Sequence, residues 1–74
     1  SYREALAAAM EAGEIAEGDP EVLSYALMGV GELIGMRWIL WADDELPGPT
    51  APTIPEHVLD EVTRFVARGL GIAE

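Results

Sequence analysis

Seventy-four residues bound this chain to one domain at most, and a core of that size is marginal unless disulfides, a metal or a partner chain add to it. The chain has no cysteine and a single histidine, His57, which removes disulfides and thiolate metal sites and leaves little for imidazole ligation. Fourteen acidic residues against four arginines give a formal net charge of −10, a balance that repels both a polyphosphate backbone and an anionic lipid surface.

No contact of this segment with nucleic acid or membrane is therefore expected, and neither a metal nor any other cofactor. Half of the residues are apolar, too many for a disordered acidic tail, so the chain should fold. No secretory leader is legible, which makes the cytoplasm the expected location.

Ser1 and Glu4 have the spacing of a capping box, and Tyr2, Leu6, Ala9 and Met10 then recur on one helical face. Gly13 is suited to a left-handed C-terminal cap, so a first helix is predicted over about residues 2–12. Asp19-Pro20-Glu21 is the strongest boundary in the chain. Asp19 can cap, Pro20 suits the first helical position, and Glu21 favours the positive end of the helix dipole.

From there no breaker interrupts a second helix over about residues 20–42, roughly 35 Å at ~1.5 Å per residue. Val22, Leu23, Ala26, Leu27, Val30, Leu33, Ile34, Trp38, Leu40 and Trp41 form one wide apolar arc on its wheel. Ser24, Met28, Gly31 and Gly35 continue it as a strip of small and flexible residues. Only Glu21, Tyr25, Glu32 and Asp43 read as facing water. A helix apolar over most of its circumference must be covered on more than one side, which two short neighbours can hardly do.

The apolar run from Val22 to Ala42, with Gly31-x-x-x-Gly35 inside it, also has the length of a membrane span. Glu32 and Arg37 near its centre cost about 2.5 to 3.5 kcal/mol each on insertion, whereas each aliphatic residue returns at most roughly 0.3 to 0.6 kcal/mol. Its three glycines and the lack of flanking basic residues weigh further against insertion.

The stretch Leu46-Pro47-Gly48-Pro49-Thr50-Ala51-Pro52 can be neither helix nor central strand and reads as a stiff connector. Thr53 and Glu56 repeat the capping-box spacing, predicting a third helix over about residues 54–68. Val58, Leu59, Val62, Phe65, Val66 and Leu70 share its apolar face. Asp60 and Arg64 are placed to pair across one turn, and Gly69 or Gly71 should end the helix.

Little in the sequence suggests catalysis. Asp43, Asp44 and Glu45 offer oxygen ligands for a hard cation, but three acids at a helix end read more simply as a solvated terminus. His57 is expected on the polar side of the third helix. The serines Ser1 and Ser24 stand in no glycine-rich elbow, and an enzyme is not expected. Met10, Met28 and Met36, with Tyr2, Tyr25, Trp38 and Trp41, can serve either as core or as the lining of an adaptable apolar pocket.

Ala12-Gly13-Glu14-Ile15, Asp19-Pro20-Glu21 and Ala26-Leu27-Met28-Gly29, followed by the Trp38/Trp41 end and the closing Arg68-Gly69-Leu70, resemble the C-terminal region of TetR-family transcriptional regulators. The resemblance runs along the whole chain through loose motifs. It implies a regulatory and dimerisation region without the N-terminal helix-turn-helix of such a repressor, its last two helices forming a four-helix bundle with a symmetry mate.

It further implies a dimer interface on Leu33, Ile34, Trp38, Trp41, Val58, Val62, Phe65 and Val66, to which the small strip adds Gly31 and Gly35. A partial effector pocket would include Tyr2, Leu6, Met10, Tyr25 and Met28. The expected partners are a second copy and, in a whole repressor, a small apolar effector. A free-standing helical interaction module, dimer or adaptor, without a ligand is the alternative.

Overall fold

The computed structural model describes residues 1–41 and 53–72. It is all-α with three helices, and no strand occurs among the described residues. Helix α1 spans Tyr2–Glu11, α2 spans Pro20–Gly35 and continues into a π-helical turn at Met36–Leu40, and α3 spans Glu56–Leu70. The acidic tripeptide Asp43 to Glu45 and the proline-rich connector 46–52 lie outside the described residues.

The helix starts follow local chemistry. The Glu4 amide donates to Ser1 Oγ at 3.4 Å while the Glu4 carboxylate reaches back to the Ser1 amine at 3.8 Å, the reciprocal pattern of a capping box. Asp19 Oδ1 accepts from the amides of Glu21 at 2.9 Å and Val22 at 3.3 Å, satisfying two donors that the first turn leaves without helical partners.

Helices α1 and α3 end alike. Past α1 the Gly13 amide donates to Met10 O and the Glu14 amide to Ala9 O, with Gly13 at φ 73°. Past α3 the Gly71 amide donates to Arg68 O and the Ile72 amide to Ala67 O, with Gly71 at φ 72°. Both are Schellman ends, in which a left-handed residue lets two amides turn back onto open carbonyls.

Three expectations need correction. Helix α3 starts at Glu56 and not at 54, because Pro55 sits outside it at ψ 146° and Ile54, preceding a proline, is held out of the helical region. Thr53 therefore provides no capping box, and the cap position makes no side-chain hydrogen bond. The helix also runs past 68 to Leu70, so Gly71 and not Gly69 ends it. Arg64 pairs with Glu61 at 3.2 Å in place of Asp60. That exposed pair adds only a few tenths of a kcal/mol, on the order of 0.3 to 0.5.

The third correction bears on function. Regular α-helix in the second element stops at Gly35, and the Trp41 amide then donates five residues back to Met36 O at 2.7 Å. The wider turn takes in one extra residue, which sets later side chains back by about 100° of rotation, one residue's worth. A plot at constant α-helical spacing thus misplaces Leu40 and Trp41.

Helices α1 and α2 run antiparallel. Tyr2 lies by Ser24, Tyr25 and Met28, and the tips of Met10 and Leu23 converge on Gly18, where an added Cβ would stand 3.9 and 3.2 Å from them. That register sets Leu6 opposite Ser24, and both are buried, at 8% and 6% exposure. A small residue at the crossing lets the two backbones come close. Helix α3 returns antiparallel to α2, with Val62 and Phe65 beside Leu33 and Ile34, and Leu70 beside Leu23.

Candidate self-association surface and adjoining groove

The three helices bury few apolar side chains. Leu6 and Val58 are the most deeply buried ones among the described residues, and no large side chain there is fully enclosed. Meanwhile Val22, Leu33, Phe65 and Trp41 are 59 to 68% exposed.

This surface has a definite shape. Val30, Leu33, Ile34, Val62 and Phe65, with Glu61 at the edge, line an open groove of about 400 Å³ between α2 and α3. A smaller hollow of about 100 Å³ follows, lined by Leu23, Ala26, Leu27, Val30, Phe65, Val66, Gly69 and Leu70. Val30 and Phe65 belong to both, so the two form one furrow with Phe65 at its middle.

The residues expected at an interface divide in this geometry. Leu33, Phe65 and Trp41 stand out from the protomer, while Ile34, Gly35, Trp38, Val62 and Val66 are half-buried. Val58 is already 5% exposed within the protomer, which makes it core. Trp38 is further covered by the Arg37 guanidinium, 5.0 Å from its ring centroid, within cation–π range. Gly31 and Gly35 have nothing within 4 Å of where a Cβ would be, so no part of the protomer approaches them.

The pocket residues divide as well. Tyr2, Tyr25 and Met28 line a second open groove of about 410 Å³ together with Ser1, Arg3, Glu21 and Ser24. Leu6 and Met10 do not line it: Leu6 is buried between α1 and α2, and Met10 packs toward Gly18. The spacing of aromatic and Met residues pointed to the first three. The polar rim of Arg3, Glu21 and Ser24 was not foreseen, because the antiparallel pairing that assembles it cannot be read from one helix at a time.

Charge is unevenly spread. Residues 1–21 hold Glu4, Glu11, Glu14, Glu17, Asp19 and Glu21 against Arg3 alone. Beyond them, Glu32 is matched by Arg37 on the second element, and Glu56, Asp60 and Glu61 stand against Arg64 and Arg68 on α3. The acidic surplus of the described residues thus lies on α1 and its connector, and the described residues of the second element and α3 are nearly balanced in charge.

His57 is exposed on α3 and Ser24 is buried on α2. No group of three or more acidic or histidine side chains able to hold a metal occurs among the described residues. Pro20–Leu40, 21 residues that contain an 18-residue window of mean hydropathy 1.2, is long and apolar enough to cross a membrane by length and composition alone, though Glu32 and Arg37 fall within it. No protein-family model, curated protein or solved structure matches the chain.

Proposed function

We propose that this chain is a non-catalytic self-association region, its α2 and α3 packing against those of a second copy as a four-helix bundle. The observation that carries this reading is the α2–α3 furrow, apolar and open, with Leu33 at 62% and Phe65 at 68% exposure on its rim. The near balance of charge among the described residues of α2 and α3 favours a like chain as occupant. A basic partner would be drawn to the acidic end at α1.

Within that reading the chain serves as the dimerisation part of a TetR-like repressor, an assignment that rests on the sequence pattern around Gly13, Asp19-Pro20 and Ala26 to Gly29. The DNA-reading heads would lie outside these residues. The groove of Tyr2, Tyr25 and Met28 is then part of an effector site, completed by further helices. An effector bound there would act by favouring one of two packings of the dimer, since a ligand shifts an equilibrium only through its differential affinity.

Sedimentation across a concentration series tests the self-association. A dimer in the micromolar range that dissociates on dilution is the expected result. A chain that is monomeric and fully helical at those concentrations overturns it. The alternative, a free-standing dimer or adaptor without a ligand, predicts the same dimer but no helix-turn-helix encoded in the same reading frame.

A further inference from the structure

Three residues of α3 stand in one strip along the furrow. Glu61 lies at its edge, Phe65 at its middle, and Arg68 on the same flank where the furrow narrows beside Val66 and Gly69. At about 3.6 residues per turn, the three side chains fall within roughly 60° of one another round the helix. All three are exposed. The other acids of α3, Glu56 and Asp60, are about 140° or more from Phe65, on the far flank.

The strip carries opposite charges at nearly equal heights on either side of the ring. Glu61 is four residues before Phe65 and Arg68 three after, so the midpoint of the two charges falls about half a residue from Phe65 itself. A two-fold axis perpendicular to α3 at that midpoint reverses the helix direction and keeps each flank on its own side. It therefore sets Glu61 of one copy against Arg68 of the other, twice over, with both Phe65 rings beside the axis. An axis parallel to the helices would instead lay α3 on α2 of the other copy, or oppose Glu61 to Glu61 if α3 met α3.

We infer that two copies meet through α3 in antiparallel orientation, the axis passing beside Phe65 and Glu61 of each copy pairing with Arg68 of the other. This rests on the self-association reading above and fixes its geometry, with α3 lying on α3 and α2 on α2 in the four-helix bundle. A second copy is the occupant because the strip is its own complement in charge. Arg68 makes no ion pair among the described residues. The Glu61 carboxylate, held by Arg64 at 3.2 Å, keeps acceptor sites for a second donor. Arg64 lies about 100° round from Phe65, at the rim, and stays with its own Glu61.

Charge reversal tests the pairing by sedimentation, each variant being checked for wild-type helicity by circular dichroism. Glu61→Arg and Arg68→Glu each bring like charges together at two symmetric places and should raise the dimer dissociation constant by about tenfold or more. The two changes in one chain restore opposite charges and should return it to within about threefold of wild type. The chain has no cysteine, so a new pair reads the geometry directly. Glu61→Cys and Arg68→Cys chains, mixed and oxidised, should form the mixed disulfide in preference to a disulfide between like chains.

A double reversal that fails to restore the dimer, or cross-linking of position 61 to position 61 in preference to 68, overturns the inference and leaves the self-association reading standing. So does a dimer indifferent to both single reversals. A wild-type chain that never dimerises overturns both.

Discussion

The Ala16 amide donates to the Leu70 carbonyl at 2.8 Å, joining the connector after α1 to the last turn of α3. It closes the three helices at one end and satisfies a carbonyl that the helix end leaves open. The same closeness puts Gly71 against Ala16, where an added Cβ would lie 2.8 Å from Ala16 Cβ and 3.4 Å from its backbone nitrogen.

Gly71→Ala should consequently cost more than Gly13→Ala. Both glycines hold a left-handed backbone at nearly equal φ, 72° and 73°, and that conformation costs a side-chain-bearing residue roughly 1 to 2 kcal/mol. At Gly13 nothing else lies within 4 Å, so no further penalty arises. At Gly71 the overlap with Ala16 adds about 1 to 3 kcal/mol of overpacking. Urea unfolding of the two variants reads the difference, and equal losses would show that α3 does not dock on the connector.

Asp19→Ala should lower stability by about 0.5 to 2 kcal/mol, because two amides at the start of α2 lose their acceptor. Asp19→Asn keeps an oxygen in place and should recover most of the loss. Thermal melts of the pair settle the point, and an undiminished melting temperature in the alanine variant would show that water replaces the cap without cost.

How far the sequence carried depended on the range of the interaction. Both glycine ends, the Asp19 cap and the three helices were legible because each is decided within four or five residues. The start of α3 was misjudged by two residues because Pro55 competes with a plausible cap at Thr53, and nothing local ranks them. The π-helical turn at Met36 was invisible, since no proline or other breaker marks it and a helical wheel assumes constant spacing. For the surfaces, the wide apolar arc of α2 was evident, but its division among α1, α3 and an uncovered outer line needed the antiparallel registers.

Glycines inside α2 give a test whose sign separates protomer from assembly. Gly29 and Gly35 both have open space where a Cβ would be, so within the protomer Ala at either should add up to ~1 kcal/mol by restricting the unfolded chain. Gly29→Ala is expected to do so. Gly35→Leu is expected to weaken the dimer, since a bulky side chain on the strip of small residues would obstruct a second backbone. Sedimentation of the Gly35→Leu variant checks this, and a dimer as tight as wild type would mean that no backbone approaches there.

The chain should not bind duplex DNA. Its net charge is −10 and its four arginines are dispersed, Arg3 on α1, Arg37 in the π-helical turn, Arg64 and Arg68 on α3. Such a surface offers no stripe of cations to displace the counterions of DNA. Salt-sensitive binding in the micromolar range, read by fluorescence anisotropy, would contradict this.

The sharpest contrast lies between two apolar residues on α3. Val58 is 5% exposed within one protomer and Phe65 is 68% exposed, although both belong to the apolar face that the spacing of α3 defines. Val58→Ala removes buried methyl groups from the protomer and should cost about 1 to 2 kcal/mol of protomer stability at any protein concentration. Phe65→Ala removes a ring that a lone protomer leaves mostly in water, so a dilute sample should lose little, on the order of 0.5 kcal/mol, as for other exposed positions. In the dimer the same ring would sit at the middle of the furrow, where truncating an aromatic anchor costs about 2 kcal/mol or more. The dissociation constant should then rise by well over tenfold, at ~1.4 kcal/mol per factor of ten. Unfolding curves measured at several protein concentrations separate the two effects: the Val58→Ala shift stays constant, and the Phe65→Ala shift grows with concentration. A Phe65→Ala penalty that does not change with concentration would place that ring outside any interface between copies.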